Sequence, residues 1–329
     1  MGAPTRRAFL MAVSAALLIP APGAAPAQEA GTLRLVVPAE PGGGWDRLAQ
    51  VIATVMPEVG AYARVQVEYQ PGAGGALALP RFVRGRRGQP DLLLVGGLTL
   101  VSSPIVNEGA VTVLDTDPIA RLEGEPLVVA VAAGSPLRDA ADLARTLRAD
   151  PSGAQVAGGS EGSADHMLLA TIGQALGVDA YALSYLPFSG GASAARAVLD
   201  GRARAGISNW SEFAPEIEAG RMRALALSGE ARLPGLDVPT LREGGIDAVL
   251  TTWNGVFAPP GLDADARARL ERAVEAMVRS PAWARESAAR RWQDRYLPRA
   301  EFEPFLAAET RSVEAVLARL GLTIPRRAE

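Results

Sequence analysis

The chain has 329 residues, 48% of them apolar, with 33 basic against 36 acidic residues and a net charge of −3. It contains no Cys and no Lys, and His166 is its only histidine. These counts exclude thiol nucleophiles, Fe–S clusters, Cys-type zinc sites, multi-histidine zinc sites, Schiff-base lysines and a P-loop lysine, and the missing basic surplus argues against nucleic acid as a partner.

The first 27 residues read as an export signal rather than as fold. Arg6 and Arg7 precede Phe9-Leu10, an apolar run reaches Ile19, and Ala25-Pro26-Ala27 resembles a signal-peptidase site. The run is too short to span a bilayer. The paired arginines suit the twin-arginine route, and the expected destination is the periplasm. Removing this segment takes away two arginines and no acids, so the mature chain carries 31 basic against 36 acidic residues, a net charge of −5. About 300 residues without low-complexity tracts fit two α/β domains.

Strand-like and helix-like runs then alternate, the pattern of α/β sheets. Leu33 to Val37 forms an apolar strand, followed by Gly42-Gly43-Gly44 and a helix with Leu48, Val51, Ile52 and Val55 on one face. A second strand, Val65 to Tyr69, runs into Pro71-Gly72-Ala73-Gly74-Gly75. Buried strands follow at Asp91 to Val95 and Leu127 to Ala132, and then a helix over 139–149 that Asp150-Pro151 ends. Gln155 to Ala157 leads into the third glycine loop, Gly158 to Ser163. Next come a helix from Asp165 to Leu176 stopped by Gly177, a strand at Leu183 to Leu186, and a helix from Ala192 to Leu199 closed by Asp200-Gly201. Strands follow at Ala205 to Ser208 and Arg223 to Ser228. The C-terminal part is helical, with Leu270, Val274, Met277 and Val278 on one face and Val313, Val316, Leu317 and Leu320 on another.

Three glycine-rich strand-to-helix turns let a ligand approach bare backbone, where the unpaired N–H groups and the positive dipole end favour an anion. Other readings of these motifs are weaker. Gly158-Gly159-Ser160-Glu161-Gly162 fits the nucleophile elbow G-x-S-x-G, but the only imidazole, His166, lies six residues on within the helix that the loop opens. For His166 itself, local hydrogen bonding and direct ligand contact both stand. Gly72 to Gly75 lacks the third glycine of a dinucleotide fingerprint. Asp46 is read as a helix cap, with ligand contact as the alternative. Arg47, one residue further, is expected to face solvent. Trp45, Trp210 and Trp253 are the tryptophans nearest presumed loops, where core packing and ligand contact both stand.

Taken in order, seven segments resemble the periplasmic substrate-binding proteins of tripartite tricarboxylate transporters. They are Val37 to Asp46, Pro71 to Gly75, Gly159 to His166, Tyr185 to Gly191, Ala205 to Ser208, Arg223 to Gly229 and Trp253 to Gly261. The resemblance covers essentially the whole mature chain. The triple glycine and Trp45 point to the tricarboxylate-binding branch. It implies an α/β, two-lobed type II periplasmic-binding-protein fold with a two-stranded hinge: residues 28–124 and 252–329 in the first lobe, 125–251 in the second. It also implies that a carboxylate is held largely by backbone N–H groups and bridging waters. The residues that carry over by position are Gly43, Gly44, Trp45 and Asp46; Gly72, Ala73, Gly74 and Gly75; Ser160, Ser163 and His166; and Phe188, Ser189 and Gly190. The implied function is capture of an organic di- or tricarboxylate, citrate by default, and delivery to membrane permease subunits by a monomer that needs no cofactor or metal and catalyses no reaction. The alternative is a periplasmic carboxylate sensor acting on a two-component histidine kinase.

Overall fold

Two sheets share one long strand. The structure, a computed structural model, describes residues 31–323; the export signal, its cleavage site and the twin-arginine pair lie outside these residues. In chain order the strands are β1 (Thr32–Val37), β2 (Arg64–Tyr69), β3 (Leu92–Gly97), β4 (Asp117–Ala132), β5 (Val156–Gly158), β6 (Tyr185–Pro187), β7 (Ala205–Asn209), β8 (Met222–Leu227), β9 (Thr251–Ala258) and β10 (Gln293–Pro298). The helices are α1 (Gly44–Glu58), α2 (Ala78–Gly85), α3 (Leu98–Val106), α4 (Ala140–Ala149), α5 (Ala164–Leu176), α6 (Gly191–Leu199), α7 (Trp210–Glu218), α8 (Ala264–Val278), α9 (Pro281–Arg290) and α10 (Arg299–Arg319).

The first sheet runs β2-β1-β3-β9-β4, with β10 also paired to β4. Strands β1, β2 and β3 are parallel, and β9 lies antiparallel to both β3 and β4. The second sheet runs from β4 through β7 and β5 to β6, with β8 on β4 as well. Strand β4 is 16 residues long and serves both sheets: Asp117 to Pro126 pair with β9, and Leu127 to Ala132 pair with β7 and β8. This gives the two-lobed α/β fold that the sequence led us to expect.

The elements form for local reasons. All six residues of β3 are buried, as suits a parallel strand covered on both faces. Helix α1 buries Leu48, Val51, Ile52 and Val55 as expected, together with Ala49 and Met56. Helix α5 ends at Gly177, which takes the left-handed conformation (φ 70°) that glycine adopts at least cost. In the C-terminal helices Leu270, Val274, Met277, Val313, Leu317 and Leu320 are buried.

Several elements depart from the sequence reading: residues 117–126 of β4, helices α2, α3 and α7, and strand β9 arise where the sequence pattern predicts no element, and strand β10 interrupts a C-terminal part expected to be helical. In β4 the reason is charge. Asp117, Glu123 and Glu125 look like loop residues, yet they are at most 6% exposed because partners satisfy them. Arg267 and Arg299 pair with Asp117, the Asn254 amide donates to Glu123, and the Ser211 hydroxyl donates to Glu125.

Candidate functional site

Where the carboxyl ends of the strands face each other across the two lobes, a cleft of about 590 Å³ opens. Its lining brings together Gly43, Gly44 and Trp45 from the first glycine loop, Gly72, Ala73 and Gly74 from the second, and Ser160 and Ser163 from the third. Ser189 and Gly190 line it from the turn before α6. Asp46, Gly75, His166 and Phe188, the other expected contact residues, lie outside the lining.

Each of these four has a structural occupation instead. Asp46 accepts from the Gly42 N–H (2.7 Å), the Tyr69 hydroxyl (2.6 Å) and the Gln50 amide (3.1 Å), which pins the first loop from behind. Burial pushes its carboxyl up, but these hydrogen bonds and the Arg47 charge outweigh it and hold the group below its ordinary range. Gly75 turns toward the core, since a Cβ there would sit 2.5 Å from Leu100 Cδ1. His166 stacks flat on Tyr185 with ring centroids 4.1 Å apart, and its Nδ1 accepts from the Gly162 N–H. Burial holds its pKa down at about 4, so the ring is neutral at pH 7, and the Nδ1 lone pair is already taken by the Gly162 N–H. Phe188 donates its N–H to Gly158 O (3.0 Å) and carries the Arg202 guanidinium over its ring.

The second loop owes its path to glycine. Gly72 (φ 138°) and Gly74 (φ 59°) adopt conformations that L side chains avoid. A Cβ on Gly74 would meet Ser160 Oγ at 3.3 Å, so the second and third glycine loops face each other here.

Sequence reasoning missed the rest of the lining, notably Thr99, Ser208, Asn209, Glu212, Thr252 and Asn254. Asn254 accepts from Trp45 Nε1 (2.9 Å) and donates to Glu123 Oε1 (2.6 Å), so it fixes the loop tryptophan against the hinge. The available signal was positional: Asn209 ends β7 directly before α7, the strand-to-helix placement used for the glycine loops.

Arg47 corrects an expectation. It is half-buried rather than turned out to solvent. Its Nη1 donates to Gly42 O, its Nη2 lies 3.4 Å from Glu212 Oε1 across the cleft, and Nε and Nη2 are buried without a hydrogen-bond partner. As the fourth residue of α1, it points along the loop toward the opposite lobe.

The lining contains no basic side chain; its ionisable residues are Glu40, Asp165 and Glu212. What it offers an anion is backbone. Helices α1, α3, α5, α6 and α7 all begin at the cleft, and none of their N-cap residues (Gly43, Gly97, Ser163, Gly190, Asn209) caps its own helix with a side chain. Helices α4, α8 and α9 begin elsewhere and are capped by Asp139, Asp263 and Ser280. Uncapped ends are not confined to the cleft, since α2 and α10 also lack a side-chain cap. Two of the five cleft helices are served from a distance: Glu212 Oε2 accepts from Gly191 N (3.0 Å), and Glu125 Oε2 from Ser211 N (3.3 Å). Among the described residues, no side chain accepts from the first-turn N–H groups of α1, α3 or α5. These remain open for a ligand.

A two-lobed α/β fold with an interlobe cleft lined by backbone donors defines a solute-binding protein. The model of the Tripartite tricarboxylate transporter family receptor matches residues 49–322, and the chain belongs to that family of periplasmic solute-binding proteins. It is 28% identical to the "UPF0065 protein in gbd 5'region" of Cupriavidus necator, over 96% of each chain. Among solved structures it is similar to MatC from Rhodopseudomonas palustris with bound malate, at 24% identity and a TM-score of 0.76 over 87% of this chain and 98% of that one. It is also similar to an R. palustris protein with adipate, at 23% identity and a TM-score of 0.80 over 89% and 98%. No helix among the described residues is long and apolar enough to cross a membrane.

Proposed function

We propose that this protein is a periplasmic receptor that captures a small organic carboxylate between its lobes and delivers it to the permease subunits of a tripartite tricarboxylate transporter. The lobes are residues 28–124 with 252–329, and residues 125–251. The observation that carries this reading is the convergence of five helix N-termini, three of them without any side-chain acceptor, on a cleft with no basic side chain. Each N-terminal dipole favours an anion by roughly 0.3–1 kcal/mol, and more where it is partly buried, so several acting together hold a carboxylate without an arginine. The cleft volume, about 590 Å³, suits a small-molecule ligand. The relatives with malate and adipate bind ligands of this chemical class.

Binding proceeds without transformation of the ligand. Ser160 lines the cleft, but the imidazole nearest in sequence is committed to the Gly162 N–H and stacked on Tyr185. The leader at residues 1–27 exports the chain, by the twin-arginine route in this reading. The test is to purify the protein from the periplasm, denature it and identify what is released by mass spectrometry. An equimolar carboxylate is expected. A protein that releases none and binds no member of a carboxylate panel contradicts the reading.

A further inference from the structure

Glu212 marks one end of the cleft. There Gly43, Gly44, Gly191, Ser208, Asn209 and Glu212 lie together: a Cβ on Gly44 would sit 3.5 Å from Asn209 Nδ2, and one on Gly43 3.8 Å from Glu212 Oε1. Glu212 Oε2 accepts from Ser208 Oγ (2.6 Å) and Gly191 N (3.0 Å), so the start of α6 already faces a carboxylate. Glu125 does the same for α7 through Ser211 N. The cation here is Arg47, which stands outside the lining and is engaged with Gly42 O and with Glu212 Oε1 at 3.4 Å. A ligand carboxylate at this end would meet a fixed carboxylate and find the donors of α6 and α7 taken.

The opposite end is different. A Cβ on Gly74 would lie 3.1 Å from Ser103 Cβ, 3.2 Å from Thr99 Cγ2 and 3.3 Å from Ser160 Oγ. Helices α3 and α5 begin here with no side chain accepting from their first turns. Ser103, only 3% exposed, has a hydroxyl without a hydrogen-bond partner beside Gly74. The acid on this side, Asp165, turns its Oδ2 to the Gly159 N–H (2.6 Å), and burial pushes its carboxyl up to about 7.

We propose that the cleft is polarised and selects a monocarboxylate carrying a hydrogen-bond donor, a hydroxyl or an ammonium, at its far end. The carboxylate rests by Gly74, Thr99 and Ser160, and the donor faces Glu212 Oε1. This rests on the carboxylate-binding reading and narrows it, because a second carboxylate at Glu212 is rejected by charge rather than by size.

The test is calorimetric titration with three series of short straight-chain acids that differ only in the terminal group: a second carboxylate, a hydroxyl or an ammonium. The best hydroxy or ammonium acid should bind at least about tenfold more tightly than the dicarboxylate of equal length, and whichever series wins identifies the donor. Glu212→Gln should shrink that ratio to about twofold or less. Arg47→Gln, which frees Glu212 of its counter-ion, should enlarge it for the ammonium series and keeps the test decisive if Glu212→Gln does not fold. Dicarboxylates that bind as tightly as their partners, or a ratio that neither variant changes, overturn the polarity while leaving the carboxylate reading standing. If no member of any series binds, both fall.

Discussion

Glu123 and Glu125 stand two residues apart on β4 where it passes between the sheets, 2% and 3% exposed. Burial, with the charge of Glu125, pushes Glu123 up to about 8. Burial also pushes Glu125 and Asp165 up to about 7 against the hydrogen bonds they accept. Each keeps its proton in the folded protein at a pH where the unfolded chain has lost it. The folded state therefore binds more protons between the ordinary carboxyl value and the raised one, and stability falls as pH rises through that window. His166, held down at about 4, acts in the opposite direction between there and its ordinary 6.5. Above about pH 6.5 the histidine no longer opposes the carboxyls, and the fall continues until they lose their protons at about 7 to 8. Thermal melting should give a lower Tm at about pH 8.5 than at about pH 6. Glu123→Gln should flatten that slope and melt above the wild type at the higher pH. A Tm that rises with pH over this range would contradict the assignment.

Of the site at this scale, the glycine loops were legible because glycine between a strand and a helix has few other uses. Glu212, Asn209 and Asn254 were not legible. An acid within a helix and an amide at a strand end look like ordinary surface residues until the fold brings the other lobe against them. Arg47 was misread for the same reason: its partner Glu212 is 165 positions away in sequence.

Among the elements, the two chain crossings between the lobes are tied by one residue. Ser228, fully buried just after β8, accepts from Leu127 N (2.8 Å) and donates to Leu250 O. Its own backbone pairs with both segments, through Ser228 N to Leu127 O (2.8 Å) and Leu250 N to Ser228 O (3.0 Å). Ser228→Ala leaves the Leu127 N–H buried without its acceptor and should cost about 1–3 kcal/mol of folding stability. Denaturant unfolding checks this; a loss below about 0.5 kcal/mol would mean that the hydroxyl is not the tie. The fold was legible wherever an element was apolar, as in β1, β3 and α1. It was not legible in β4 before Leu127, where Asp117-Pro118 and Glu123-Gly124-Glu125-Pro126 carry loop chemistry. There tertiary partners, not local pattern, make the strand.

For the whole molecule, two crossings permit the lobes to close on a ligand with few dihedral changes. The lobes are not independent, however. One apolar cluster runs from Leu92 and Leu94 in the first sheet through Leu127 and Val129 to Met167 and Leu168 of α5, and it includes Phe302 and Leu317 of α10. Helix α10 packs against both α3 and α5. Closure is therefore expected to be a modest rotation that keeps this cluster intact. Small-angle scattering should show a smaller radius of gyration with a bound carboxylate than without. An unchanged radius with a ligand shown to bind by calorimetry would contradict closure from an open free state.

Capture of a carboxylate between the two lobes is the central claim, and Gly44→Val tests it most directly. Gly44 begins α1 at the cleft, and a Cβ there already sits 3.5 Å from Asn209 Nδ2 of the other lobe. Branched methyls would occupy the space that the ligand and the closing lobe need, while the loop lies outside the packed core. Calorimetric titration of wild type and variant with the tightest carboxylate should show a loss of about 2 kcal/mol or more, roughly thirtyfold in affinity, with thermal melting unchanged. Undiminished affinity in a folded Gly44→Val protein would contradict the claim.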